Sequence, residues 1–138
     1  MPRLPKPPRL LRVCALAAVL AIVVYYSLLD APPVAFEPSP WYDKELHFVA
    51  YTAVTVTAAG ATIELRARRR YRIGIVIAFA TAFGVGIELV QWPLADRYAS
   101  MADVVANAAG TAVGAGWFLV ESRFGYVGDS ATEDDGQS

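Results

Sequence analysis

The chain has 138 residues, of which 56% are hydrophobic and 18% are charged, and its formal net charge at pH 7 is −1. Soluble domains carry about 45–50% apolar and about 25% charged residues, so this balance favours a membrane protein and excludes a largely disordered chain. A length near 140 residues allows one domain. The single cysteine, Cys14, excludes a disulfide framework within the chain and a cysteine-rich zinc site.

Four apolar segments approach the length of about 20 residues that a membrane-spanning helix needs. They run from Leu10 to Leu29, from Trp41 to Ile63, from Ile73 to about Leu94 and from about Met101 to Val120. The first could be a signal peptide, but it exceeds the usual length of a signal's apolar region and lacks a good cleavage site, so we interpret it as a retained span. The sequence therefore predicts an all-α, polytopic membrane protein, a bundle of four transmembrane helices.

The basic residues lie almost entirely on one side of this predicted topology. Of the 12 lysine and arginine residues, only Lys44 and Arg97 belong to the other side. Because basic residues near membrane spans accumulate in the cytoplasm, both termini are predicted to be cytoplasmic and the protein to lie in the cell membrane. The cluster Arg66–Arg72 could suggest nucleic-acid binding, but topology and anionic lipid head groups explain it, so no nucleic acid is expected as a partner.

Three regions follow from this topology. Residues 1–9 form a basic cytoplasmic N-terminus, residues 10–123 form the four-helix transmembrane domain, and residues 124–138 form an acidic tail. The tail carries acidic but no basic residues and few apolar ones, so it is predicted to be disordered.

Polar side chains inside the spans need an explanation, because each is costly in lipid unless it is paired or hydrated. Counted inward from the helix ends at about 1.5 Å per residue, those of the last three helices share one depth, in the outer third of the membrane. The inner halves offer no equivalent set, and Glu64 and Glu121 are interpreted as interfacial. The sequence thus predicts one site with catalytic candidates His47, Glu88 and Asp103 and with substrate-binding candidates Lys44, Tyr51, Gln91, Arg97, Ser100 and Asn107.

Several of these residues also have a structural explanation. Ser100 and Asp103 match a capping box at the start of the fourth helix, and Lys44 could extend its amine to the interface. Glu88 and Asn107 are harder to explain in this way, because apolar residues flank them well inside their spans. For the set as a whole we favour a functional site.

The order of the polar residues resembles the signatures of the VanZ-like membrane proteins. The resemblance extends from about Asp43 to Gly116, and the first span carries no motif. The first signature is matched by Asp43, Lys44, His47 and Tyr51, and the second by Glu88, Gln91, Arg97, Ser100, Asp103, Asn107, Gly110 and Gly114. The family takes its name from teicoplanin resistance and has been grouped with proposed enzymes of lipid head-group chemistry, so the resemblance implies a small multi-span protein of that kind.

The first functional hypothesis is an enzyme acting on lipid or lipid-linked phosphate head groups at the outer leaflet. His47 can serve as general base or nucleophile, and Glu88 can orient its imidazole or act as the acid. Asp103 can orient a hydroxyl or help to hold a divalent cation, which is the one cofactor that these residues suggest. Lys44 and Arg97 can neutralise a phosphate. The expected partners are membrane lipids and a lipid-linked or amphiphilic substrate.

The second hypothesis is a non-catalytic membrane protein that binds an amphiphile or antibiotic, or that acts as a small transporter or assembly factor. The same polar cluster would then be a binding site or a buried network that fixes helix register. A transporter needs polar groups along a path through the membrane. The predicted inner halves lack such groups, which counts against transport by a monomer.

Overall fold

The structure is a computed structural model that describes residues 2–30, 37, 39–94 and 100–127. Most of the described chain is helical. Helix α1 (Arg9–Val24) continues as a π-helical segment (Tyr25–Leu29), and a 3₁₀ segment (Ile63–Arg68) leads into α3; the other helices are α2 (Tyr42–Ala61), α3 (Arg69–Gln91), α4 (Met101–Ala115) and α5 (Trp117–Glu121). Two short strands, β1 (Arg3–Leu4) and β2 (Gly125–Tyr126), lie near the two ends of the chain.

The four predicted helical segments are present, and three of them are long and apolar enough to cross a membrane. These are Arg9–Leu29, Ile63–Gln91 and Met101–Glu121. Helix α2 has 20 residues but falls short in apolarity, because its first two turns carry Asp43, Lys44, Glu45 and His47.

Helix α2 lies at the centre of the bundle, which explains its lower apolarity. It packs against α1, α3 and, most extensively, α4. Val54, Thr55 and Ala59 on α2 have no exposed surface. A helix that packs against protein on several sides contacts less lipid than an outer helix does. It therefore tolerates small and polar side chains.

Two glycines allow α2 and α4 to approach closely. A Cβ atom added at Gly110 would lie 2.3 Å from the carbonyl oxygen of Phe48, and one added at Gly114 would lie 2.6 Å from the Cβ of Thr55. The hydroxyl of Thr52 lies 2.8 Å from the carbonyl oxygen of Phe48 and 3.1 Å from that of Gly110, across the interface. Small residues therefore set the spacing between these two helices.

A cluster of polar side chains lies at the C-terminal end of α2, away from its charged first turns. The sequence predicted no such cluster there. Arg72 is 1% exposed, and its Nη1 lies 2.6 Å from Oε2 of Glu121. Its Nη2 donates to the carbonyl oxygen of Ala59 at 2.5 Å. The sequence left Glu121 at a helix end without a partner, whereas this carboxylate is buried in an ion pair with Arg72.

A second arginine contacts the same end of α2. Arg12 is buried, pairs with Glu64 and donates to the carbonyl oxygen of Gly60 at 2.8 Å. The last carbonyl groups of a helix lack partners within the helix and carry partial negative charge, so guanidinium groups are favourable there. Arg12 and Arg72 thus cap α2 from two neighbouring elements, in addition to any effect on topology.

The strands bring the two ends of the described chain together. Arg3 is in register with Gly125, and Leu4 with Tyr126, in a parallel pair. The sequence predicts a disordered tail over residues 124–138 and no strand, whereas Gly125 and Tyr126 are held by this pairing. Residues 128–138 lie outside the described part of the chain.

Tyr126 closes the C-terminal polar cluster of α2, which Arg12, Glu64, Arg72 and Glu121 form. Its side chain is buried and its hydroxyl donates to Glu121, while the guanidinium of Arg66 lies 5.0 Å from the ring centroid. Burial and the neighbouring Glu121 carboxylate raise the pKa of Tyr126 to about 12.

Replacing Tyr126 with phenylalanine is expected to lower the free energy of unfolding at pH 8 by about 1–2 kcal/mol, because Glu121 loses a hydrogen bond to its charged oxygen. The deficit should shrink as the pH rises from 10 towards 12, since the phenol then ionises more readily in the unfolded chain than in the folded one. Denaturant unfolding in detergent at several pH values measures both effects. A difference that stays constant up to pH 12 would contradict the assignment.

Candidate functional site

The first turns of α2 and α4 bring four of the predicted site residues together. The two helices begin at the same end of the bundle and pack along each other, so side chains of their opening turns face one another. Lys44 meets Asp103, and His47 meets Asn107. The predicted meeting of the second and fourth helices is therefore present for these four residues.

Asn107 orients the imidazole of His47. The Nδ1 atom of His47 lies 2.9 Å from the amide oxygen of Asn107. An amide oxygen can only accept a hydrogen bond, so Nδ1 carries the proton and Nε2 is the atom left for proton exchange. Glu88 was predicted either to orient this ring or to act as the acid, and neither of its carboxylate oxygens has a hydrogen-bond partner among the described residues. Asn107 takes the orienting role instead.

Two carboxylates face the free nitrogen of His47. Its Nε2 lies 3.8 Å from Oδ1 of Asp43 and 3.9 Å from Oδ1 of Asp103. The side chain of Asp103 is 4% exposed, whereas that of Asp43 is 63% exposed. Nε2 therefore lies beside two acidic side chains, one buried and one exposed.

Lys44 is held between the same two carboxylates. Its Nζ lies 2.5 Å from Oδ1 of Asp103 and 2.7 Å from Oδ2 of Asp43. This pairing explains Asp103 beyond helix capping. The capping interpretation holds for Ser100, whose hydroxyl accepts a hydrogen bond from the backbone N–H of Asp103 at 3.2 Å. The positive charge of Lys44 is largely offset here, which weakens its predicted role in binding a phosphate.

Glu88 lies on α3 and is 9% exposed. Glu88 lines a cavity of about 430 Å³ between α3 and α4 together with Ser100 and Asn107, and both of its carboxylate oxygens are buried. Glu88 is therefore near the polar cluster of α2 and α4, which consists of Asp43, Lys44, His47, Asp103 and Asn107, without being hydrogen-bonded to it. Among residues 2–30, 37, 39–94 and 100–127, no hydrogen bond accounts for this carboxylate.

Tyr51 and Gln91 are placed by contacts with their neighbours. The ring of Tyr51 packs against Gly84 of α3, where an added Cβ atom would lie 3.0 Å from it, and its buried hydroxyl has no hydrogen-bond partner among the described residues. The amide nitrogen of Gln91 donates to the carbonyl oxygen of Ser27 at 2.9 Å. Gln91 thus fixes the π-helical end of α1, and its role in binding substrate stays a prediction. Arg97 lies outside the described residues.

A second cavity lies on the other side of the polar cluster. It has a volume of about 440 Å³ and lies between α1 and α2, with Val19, Tyr26, Asp43, His47 and Gln91 among its lining residues. The polar cluster consequently separates two cavities that are lined mainly by apolar side chains.

Asp43, His47 and Asp103 are the described residues with the geometry of a metal site, since one ligand atom from each lies within 4.8 Å of the others. Asp43 was part of the family resemblance but not of the predicted site. Its spacing of four residues from His47 was the available signal. The ammonium of Lys44 contacts both carboxylates, so a divalent cation has to displace it.

Comparisons with models of protein families, with curated proteins and with solved structures found no match to this chain. The arguments about function therefore depend on the geometry of the site.

Proposed function

We propose that the chain is a four-span protein of the cell membrane, related to the VanZ-like proteins, that acts on lipid or lipid-linked head groups at the outer leaflet. The polar cluster of α2 and α4, with Glu88 of α3, is its site. The observation that carries this proposal is the Asn107–His47 hydrogen bond, which leaves Nε2 free between two carboxylates.

The proposed topology has α2 as the fourth span. Its length of 20 residues suffices to cross a bilayer core of about 30 Å, and its polar first turns would lie near the outer surface. Pairing of β1 with β2 supports cytoplasmic termini, since the two ends of the described chain lie together. The buried arginines Arg12 and Arg72 lie at that same end of α2.

In the proposed reaction, His47 is the general base. Nε2 accepts a proton from water or an alcohol while that oxygen attacks the phosphorus centre of the head group. The imidazolium is stabilised by Asp43 and Asp103 and then returns the proton to the leaving oxygen. Lipid tails remain in the bilayer, and the cavities beside the cluster give them access to it.

Charge restricts which head groups fit this site. Among the described residues, the carboxylates Asp43, Glu88 and Asp103 outweigh the single ammonium of Lys44. An anionic phosphate is repelled by this excess, so its neutralisation falls to Arg97, the second cation that the sequence places on this side.

Replacing His47 with alanine is expected to reduce turnover of the lipid substrate about 10²–10⁴-fold, which is the usual contribution of a general base. Glu45→Gln is the matched control, because Glu45 lies on the same helical turn but is exposed. Lipid mass spectrometry on proteoliposomes measures substrate and product for each variant, and size-exclusion chromatography confirms folding. Unchanged turnover in a folded His47→Ala protein would overturn the proposal.

A second candidate is a protein that binds an amphiphile without transforming it. The two cavities and the unpartnered carboxylate of Glu88 favour this possibility. Transport has less support, because the buried apolar residues Val23, Val54 and Ala80 separate the two polar ends of the bundle. Ligand retention without turnover in the wild-type protein would favour simple binding.

A further inference from the structure

The carboxylate of Glu88 is buried, and its partner is not found among the described residues. The residue is 9% exposed, and both Oε atoms are buried without a hydrogen-bond partner in the described structure. A buried carboxylate without donors is costly, so the group needs either a proton or a ligand that supplies N–H or O–H groups.

The cavity that Glu88 borders has the form of a site for a chain with a polar end. Its volume of about 430 Å³ falls within the range of about 300–1,000 Å³ found for ligand sites. Apolar side chains such as Val85, Leu89, Met101 and Val104 supply most of the lining. These four are exposed on the bundle surface, so the cavity opens sideways to the bilayer of the proposed topology.

Charge and hydrogen-bonding capacity identify the polar end of the ligand. Among the described residues, Glu88 and the polar side chains of α2 and α4 supply three carboxylates against one ammonium, a balance that repels an anion and attracts a cation. An ammonium group carries three N–H donors and can satisfy both oxygens of Glu88 at once, whereas a quaternary ammonium carries none. Primary ammonium therefore fits this position better than choline or phosphate does.

We propose that Glu88 binds the primary ammonium group of a membrane amphiphile whose apolar chain lies in the cavity between α3 and α4. This inference rests on the proposed function, because it names the class of lipid that the site takes. It makes the ligand a zwitterionic or cationic amine-bearing lipid.

Binding can be measured separately from turnover. The full chain is placed in nanodiscs with equal parts of phosphatidylethanolamine, phosphatidylcholine and phosphatidylglycerol, and lipids that remain bound are counted by native mass spectrometry. The wild-type protein is expected to retain phosphatidylethanolamine about tenfold or more over the other two lipids, as one charge-assisted hydrogen bond provides. Glu88→Gln is expected to abolish that preference.

A second pair of variants tests the cavity without altering Glu88. Ala108 lines the cavity, so Ala108→Trp is expected to fill it and to lower phosphatidylethanolamine retention as far as Glu88→Gln does. Ala109 is exposed and does not line it, so Ala109→Trp is the matched control and should retain the lipid. This pair keeps the test decisive if Glu88→Gln does not fold.

Equal retention of the three lipids by the wild-type protein would overturn the inference. A preference that survives Glu88→Gln or Ala108→Trp would overturn it as well. Selective retention without any turnover would leave the inference standing and would contradict the proposed enzyme. Turnover of lipids without amines, with no selective retention, would overturn the inference and would leave the proposed enzyme standing.

Discussion

Replacing Gly110 with alanine is expected to destabilise the protein by about 3 kcal/mol or more, at or beyond the upper end of the usual cost of overpacking. The added Cβ atom would lie 2.3 Å from the carbonyl oxygen of Phe48 and 3.1 Å from the backbone nitrogen of Thr52. Both neighbours are backbone atoms of α2, so no side chain can rotate away and the helices must separate.

Gly86→Ala is the matched control. Gly86 lies inside α3, and an added Cβ atom there meets nothing within 4 Å. Since alanine favours a helix over glycine by about 1 kcal/mol, this variant should be neutral or slightly more stable. Thermal unfolding in detergent, followed by fluorescence-detected chromatography, compares the two. A Gly110→Ala protein as stable as wild type would show that α2 and α4 do not approach as closely as described.

Gly110→Ala should also affect the site, because the same helix packing positions His47 and Asn107. Phe48 follows His47 on α2, and Gly110 lies one turn after Asn107 on α4, so separation of the helices would also lengthen the 2.9 Å contact between His47 and Asn107. Gly110→Ala should therefore lose the orientation of the imidazole even under conditions in which the helices remain formed.

Helical periodicity predicted which residues of α2 and α4 share a face, and it predicted their depth. The ion pair of Lys44 with Asp103 and the contact of His47 with Asn107 follow from the shared helix face and the shared depth. Depth alone does not give the rotation of a helix about its axis. Glu88 was for this reason paired with His47 as one possibility in the prediction, whereas its carboxylate has no hydrogen-bond partner among the described residues.

The C-terminal polar cluster of α2 could not be predicted, because the hydrogen-bond acceptors of its arginines come from distant parts of the chain. Arg12 reaches Gly60, and Arg72 reaches Ala59 and Glu121. In the sequence, an arginine that caps another helix looks the same as one that marks the cytoplasmic side. The pairing of β1 with β2 escaped prediction for a similar reason, since two residues give no periodic signal.

Replacing Arg72 with methionine is expected to lower the free energy of unfolding by about 3–5 kcal/mol, the cost of leaving one member of a buried ion pair without its partner. The carboxylate of Glu121 would lose the guanidinium that lies 2.6 Å away, and the carbonyl oxygen of Ala59 would lose its donor. Arg70→Met is the matched control, because Arg70 belongs to the same basic cluster but is exposed. In the proposed topology it removes the same charge from the same side of the membrane, so any effect on topology is equal in the two variants.

A double variant separates the cost of an unpaired charge from the worth of the pair itself. Replacing both Arg72 and Glu121 with methionine removes the two charges together, and apolar replacements of buried ion pairs are often neutral or stabilising. We therefore expect the double variant to recover most of the stability that Arg72→Met loses, less the hydrogen bonds that Arg72 donates to Ala59 and that Tyr126 donates to Glu121. Denaturant unfolding in detergent measures all four proteins. If Arg70→Met and Arg72→Met were equally destabilised, the buried pair would contribute nothing specific. If the double variant were no more stable than Arg72→Met, the capping of α2 rather than the unpaired carboxylate would account for the loss.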